Sequence, residues 1–431
     1  MTWHAKDNIL GLRRSFLAPS LSISYKDPLH IVQGRGQYLY DGQGREYLDG
    51  VNNIQHVGHC HPAVVKAAQE QYEKLNTNTR YLDETIVKYA QELTSQLPSD
   101  LEICYFTNSG SESNDLALRL ARHYTNSKET IVFGSAYHGH TEALIEISPY
   151  KFNGPGGNGA PDFVHTIPRP DPFRGRYRGP DSARGYLSEL KKIIHQLKKN
   201  GQRIGAMVAE PVMGCGGQII LPKGFLKEAI ERVRHAGGLY IADEVQIGFG
   251  RMGSHFWGIE TEKVVPDIIT IGKSMGNGHP LSAVITTRKI ADRFHNGMEY
   301  FNSFGGNPVS CAVGRAVLEV IQGENLQKQA LDVGNHLSNL LAKLKERHYL
   351  IGDVRGRGLF LGVELNRDLT TLEPAAAEAE QVINKMKEKG ILLSTDGPDH
   401  NVIKIKPPLV FNKENAHFLS ETLDHILTHI A

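Results

Sequence analysis

Hydrophobic and polar positions change rhythm along the chain. The first fifty residues hold two short strand-like runs, HIVQG and QYLYD, each followed by a turn signal, Gln-Gly or Asp-Gly. From about Glu70 onward, short apolar runs alternate with stretches of helical period, the pattern of a parallel sheet covered on both faces. One unit shows it: AMVAEPV, Ala206 to Val212, reads as a strand. KGFLKEAIERVRHAGG then places Leu226, Ile230 and Val233 on one helical face and stops at Gly237 and Gly238. GLYIADE and DIITIGK follow as further buried strands. Residues 154–180, with GPGGNGAP and PRPDPFRGRYRGP, predict a long surface loop of the kind that shapes active sites. Beyond Gly314 the spacing predicts one long amphipathic helix, two strand-like stretches (VRGRGLFLGVEL and NVIKIKPPLVF) and a closing helix.

The chain's 431 residues suffice for two packed domains, and 40% hydrophobic with 22% charged residues is an ordinary globular composition. Lys plus Arg number 48 against 47 Asp plus Glu, which argues against nucleic acid or a membrane surface as partner. No apolar run approaches the roughly eighteen residues of a membrane helix. The opening MTWHAKDNILGLRRSF lacks the apolar stretch of a secretory signal, and Asp7 counts against an import presequence. Cys60, Cys104, Cys215 and Cys311 form no CxxC pair, so the expectation is a reduced, cytoplasmic protein.

Three apolar runs each end in a charge: Glu210 after AMVA, Asp243 after LYIA, Lys273 after IITIG. Ligands of open α/β sheets sit at the carboxyl ends of strands, so these side chains should converge on one crevice. Strand ends also carry charge simply because they meet solvent, and any one of the three alone would mean little. CYFTNSGSESNDLALRLARHY passes from a strand through Ser109-Gly110-Ser111 into a helix, which puts backbone N–H groups where a phosphate can bind. The same residues also read as an ordinary serine cap with Glu three positions on. Tyr137, after TIVFG, can stack on a planar ring or simply fill the core. Together, a phosphate cup, a stacking aromatic, a buried Asp and a strand-end Lys are the parts that hold a phosphorylated pyridine aldehyde, with Lys forming the imine and Asp pairing with the ring nitrogen.

Other patterns read as structure. HVGHCHP gathers His56, His59, Cys60 and His61, but no second cysteine or carboxylate pair stands near at ligand spacing, so no metal is expected. Gly34 and Gly36 mark a turn, no GxGxxG with a following acidic residue supports NAD, and KKIIHQLKK is a solvated helix face.

The order SGSES, AYHGH, AEPV, ADEVQIGFGRMG, GKSMGNGHP, SFGGNPVSCA resembles the class III aminotransferases across nearly the whole chain. The resemblance implies fold type I: a large α/β domain with a mostly parallel seven-stranded sheet flanked by helices, and a smaller α+β domain from both termini. The implied boundaries are 1–55 for the N-terminal part of the small domain, 56–313 for the large domain and 314–431 for the rest. It implies pyridoxal 5′-phosphate as cofactor, Lys273 as the Schiff-base lysine and Asp243 as partner of the pyridinium. Ser109, Gly110 and Ser111 would form the phosphate cup, Tyr137 would stack on the ring, Gln246 would lie near its hydroxyl, and His138 and Glu210 would join the set. Ser303, where many members have Thr, would reach the phosphate site of a neighbouring subunit, which implies a homodimer.

Within the class, NNIQHVGHCHPAVVKAA, LNTNTRYL, LIEISPYKF, GMEYFNSFGGNPVSCAVG and STDGPDHNVIKIKPP are similar to the ethanolamine-phosphate and 5-phosphohydroxylysine phospho-lyases. The expected reaction is elimination of phosphate from a phosphorylated amine. The alternative is amino transfer to a keto acid by an enzyme of the alanine–glyoxylate type, which shares the PDPFRG loop. Arg355 in VRGRG matches the arginine that grips the α-carboxylate in amino-acid aminotransferases of the class. Arg80, Lys151, Arg174, Arg176 and Lys406 are further candidate anchors for the substrate phosphate.

Overall fold

A computed structural model describes residues 6–430, so the first five residues of the stretch weighed as a leader lie outside it. Its centre is a seven-stranded sheet in the order Ile103–Thr107, Ser282–Thr286, Ile268–Ile271, Leu239–Asp243, Ile204–Ala209, Glu129–Phe133, Val164–Ile167. Ser282–Thr286 runs antiparallel to both neighbours, and the other six strands are parallel to one another. All six residues of Ile204–Ala209 and all five of Leu239–Asp243 are buried, as continuous apolar runs covered on both faces must be. Helix Phe225–His235 buries Leu226, Ile230 and Val233 against this sheet, the face its spacing predicts.

A second sheet, antiparallel, joins Ile351–Arg357, Phe360–Asp368, Val402–Ile405 and Ser394–Asp396 in that order. The N-terminal hairpin Ile31–Arg35 and Tyr38–Asp41 turns at Gly36, whose φ of +56° suits glycine, and continues into a strand the pattern did not reveal, Glu46–Asp49. That strand pairs in parallel with Ile391–Leu392, tying the start of the chain to its last quarter.

Three expectations are corrected. The single long loop over 154–180 is interrupted by Val164–Ile167, the edge strand of the large sheet, with Val164 and Ile167 buried. The long helix beyond Gly314 is two helices, Pro308–Gly323 and Leu326–Arg347, broken where Asn325 takes a left-handed φ of 54°. In NVIKIKPPLVF only Val402–Ile405 is strand, because Pro407 and Pro408 have no N–H for a ladder. Among the described residues no helix is long and apolar enough to cross a membrane.

Candidate active site

Five of the parallel strands end at one cavity of about 180 Å³. Strand Ile103–Thr107 passes through Asn108 and Ser109 into helix Gly110–Thr125. Ser109 Oγ caps that helix by accepting the Glu112 N–H (3.2 Å), while Glu112 accepts from the Asn108 N–H (2.8 Å) and side-chain amide (3.0 Å). The first N–H groups of a helix have no intrahelical partner, so the turn at Gly110 and Ser111, which line the cavity, favours an anion. Gly110 must be glycine for packing: a Cβ there would lie 2.7 and 3.0 Å from the methyls of Val245. Ser111 Oγ meets His140 Nδ1 at 2.9 Å.

Asp243 closes strand Leu239–Asp243 and is buried. Its Oδ2 accepts from Asn114 Nδ2 (2.9 Å) and pairs with His138 Nδ1 (2.8 Å), and its Oδ1 accepts the Val245 N–H (3.1 Å). Asn114 also donates to the His138 carbonyl (2.8 Å) and accepts from Thr270 Oγ1 (2.7 Å), so one helix residue locks two elements of the cavity wall. Glu210 follows strand Ile204–Ala209. Burial, then the charge of Asp243, pushes its carboxyl up to about 8 against the opposing pull of the Gly214 N–H, Lys406 and Lys273. Its Oε1 accepts the Gly214 N–H at 3.1 Å, and its Oε2 is a buried oxygen with no hydrogen-bond partner among the described residues.

Lys273 follows strand Ile268–Ile271 and lines the cavity with φ at 36°, a left-handed conformation that is unfavourable for lysine and is retained only where the surroundings impose it. Tyr137 is half-buried on the wall after strand Glu129–Phe133.

Ser109, Gly110, Ser111, Tyr137, His138, Glu210, Asp243, Gln246 and Lys273 thus share one cavity. Asn114, Gly139 and Val245 line it as well, and were not anticipated. Asn114 sits five residues after the cap on the helix's buried face, the one local signal that could have found it. Ser303 does not line the cavity. It is exposed on the adjoining loop, where the preceding Asn302 bonds Asn108 (3.1 Å) and Glu112 (2.5 Å).

The candidate anchors separate sharply. Lys406 is buried, and its Nζ donates to Gln246 Oε1 (3.1 Å) on the cavity wall and to Asp396 Oδ2 (3.1 Å). Lys151 Nζ lies 5.8 Å from the Tyr137 ring, near the same wall. The others are tied elsewhere. Arg355 contacts Glu364 (2.7 Å) and Asp353 (3.0 Å) and donates to the Gly217 carbonyl (2.8 Å). Arg174 pairs with Glu364 and Asp399, Arg80 with Glu299 while lying over Phe301, and Arg176 is exposed beside Glu189.

The histidine-rich loop serves packing. His56 bonds the Phe249 carbonyl (2.6 Å) and Arg251 (3.1 Å), His59 pairs with Asp49 (2.7 Å), and His61 with Glu324 (3.0 Å).

The family model described as aminotransferase class-III matches residues 22–427. An "Alanine--glyoxylate aminotransferase 2-like" protein of Drosophila melanogaster is 48% identical over 96% of this chain and 85% of its own. "Ethanolamine-phosphate phospho-lyase homolog 1" of Caenorhabditis elegans is 42% identical over 98% of this chain and 94% of its own. Among solved structures, a phospholyase from Arthrobacter in complex with phosphoethanolamine is similar with a TM-score of 0.93 and 39% identity, covering 98% of this chain and all of that one.

Proposed function

The chain belongs to the class III aminotransferase family and uses pyridoxal 5′-phosphate, and within that family we propose that it is a phospho-lyase, eliminating phosphate from a phosphorylated primary amine such as O-phosphoethanolamine or 5-phosphohydroxylysine. The observation that carries this reading is the buried Lys406 behind the cavity lining, bonded to Gln246 on the wall, which would offer a phosphate ester a charge shielded from water. The likeness to the phosphoethanolamine-bound phospholyase over the full chain supports it.

The cavity fits the cofactor. The turn at Ser109, Gly110 and Ser111 would take its phosphate, Asp243 its ring nitrogen, Tyr137 a ring face, and the partnerless Glu210 Oε2 a polar ring substituent, with Gln246 beside it. When bound, the cofactor holds the substrate nitrogen covalently and draws electrons from the carbon attached to it. Lys273 Nζ is the base for the proton on that carbon. Where the next carbon carries a phosphate, its C–O bond breaks, the electron pair departs with the phosphate, and water completes hydrolysis to aldehyde and ammonia. Lys406 offsets the charge of the departing group. Asn114 and His138 keep Asp243 in place while the charge on the substrate shifts.

The working unit is proposed to be a homodimer of cytoplasmic location in which Ser303 completes the partner's phosphate site. The exposed Tyr81, Leu82, Met298 and Phe304, on segments joined by Arg80 over Phe301, are the apolar surface that such an interface would cover. For amino transfer, Arg355 would have to leave Glu364 and Asp353 to grip a carboxylate. Comparing both reactions on one preparation tests the choice: phosphoethanolamine alone should yield phosphate at a steady rate. Alanine with glyoxylate or pyruvate should turn over far more slowly, and the reverse order contradicts the reading.

A further inference from the structure

Beside the cofactor cavity lie three charged side chains that binding the cofactor does not require. Asp396 Oδ1 accepts from Lys404 Nζ (3.2 Å), and its Oδ2 accepts from Lys406 Nζ (3.1 Å) and Gln218 Nε2 (2.7 Å). Strand register places them: Asp396 pairs with Val402 and Ser394 with Lys404, so the carboxylate lies diagonally opposite Lys404 and within reach of Lys406 just past the strand end. The second acceptor of Lys406 is Gln246, on the cavity wall.

Two ammonium groups against one carboxylate leave one positive charge in excess. Lys404 is partly exposed, so water can serve it, but the Lys406 side chain is only 3% exposed and Asp396 is its single ion-pair partner among the described residues. The next carboxyl towards the cofactor, Glu210, is driven towards its neutral form by burial and by the charge of Asp243. A buried cation with too little counter-charge is costly unless an anion joins it. Burial drives the Lys406 ammonium towards losing its proton and Asp396 opposes this. The Asp396 carboxyl, pushed up by burial, is brought below its ordinary value by Lys406 and Lys404. A lysine side chain is also long and flexible, so aiming it requires tethers.

We propose that Asp396 is a positioning residue that sets the site's preference for a phosphate-bearing substrate: held by Gln218, it fixes the Lys406 ammonium beside Gln246, where the substrate's phosphate supplies the missing negative charge. This rests on the phospho-lyase reading, and Asp396 itself need not touch substrate.

The test uses holoenzyme of the wild type, Asp396→Asn and Gln218→Met, the second leaving every charge in place should the first fail to fold. Inorganic phosphate binding is measured by calorimetry, phosphoethanolamine turnover by phosphate release, and the half-reaction with alanine by cofactor absorbance. Asp396→Asn should weaken phosphate binding and raise KM for phosphoethanolamine by roughly tenfold to a hundredfold, with a smaller change in kcat and the alanine half-reaction nearly unmoved. Gln218→Met should shift KM in the same direction by several-fold. Phosphate binding as tight as or tighter than wild type in Asp396→Asn overturns the inference, since Asp396 would then only offset charge. Equal loss of the phosphoethanolamine and alanine reactions overturns it too. A wild type that releases phosphate beside variants of unchanged KM overturns this inference alone. A wild type that releases none overturns the phospho-lyase reading and the inference with it.

Discussion

The two sides of the proposed site, a cofactor wall that lines the cavity and a substrate wall set just behind Gln246, are built on different principles. The cofactor wall consists of turns and side chains at the ends of five parallel strands of one sheet, so backbone hydrogen bonds set their relative places. Asp243 is fixed by partners to both its oxygens, and Lys273 by a strained backbone. The substrate wall is composite. Asp396 comes from the smaller antiparallel sheet, Lys406 from just past the end of its strand Val402–Ile405, and Gln218 from a loop between short strands Val212–Met213 and Ile219–Ile220. Strand pairing sets Asp396 beside Lys404 and Lys406, but side chains and single backbone contacts tie this group to the rest of the molecule. Arg251 bonds the carbonyls of Leu359 (3.0 Å) and Pro407 (2.8 Å), and the Lys406 N–H reaches the Gly50 carbonyl (2.8 Å). A wall made by strand ends is costly to alter, whereas one made by side-chain tethers can change with few substitutions. Relatives bearing aminotransferase and phospho-lyase names on one architecture fit that division.

The division can be broken or sharpened by removing one group from each wall. On the cofactor wall, Lys273→Ala should abolish turnover and the absorbance of lysine-bound cofactor for every substrate, and borohydride should leave no covalent pyridoxyl-protein. Covalent reduction of that variant would contradict the assignment. On the substrate wall, Lys406→Met should be selective: phosphate release from phosphoethanolamine falls about a hundredfold, mostly through KM, while the half-reaction with alanine persists. Equal losses in both would dissolve the distinction between the walls. The smallest effect is expected where the proposed partner subunit would reach the cofactor wall. Ser303→Ala removes one hydroxyl and should loosen cofactor retention by roughly tenfold, with activity lost on dilution to monomer. A fully active monomer in sedimentation would contradict the shared site.

The same division governs what could be read from the chain. Glu210, Asp243 and Lys273 were legible because each ends an apolar run, and a charge closing a run buried on both faces falls at the carboxyl end of its strand, where ligands of such sheets bind. Ser109 to Ser111 and Tyr137 were legible as junctions after strands. Asn114 was not, because its place on the helix's buried face signals only burial and does not reveal the carboxylate it meets. Lys406 stood out only as one cation among several, and its distinction, burial beside Asp396, depends on pairing between strands that no local pattern encodes. The strand Val164–Ile167 was hidden between glycine- and proline-rich segments, and the helix break at Asn325 by periodicity that continues across it.

The central claim, that phosphate leaves from the carbon beside the amine, is tested most directly by a product balance. Purified protein is incubated with O-phosphoethanolamine and no keto-acid acceptor. The account predicts phosphate, ammonia and acetaldehyde in equal amounts over many turnovers, because departure of the phosphate lets the nitrogen leave as ammonia without an acceptor. A reaction that stops after one equivalent per active site, with the nitrogen retained on the cofactor and no phosphate released, would contradict it.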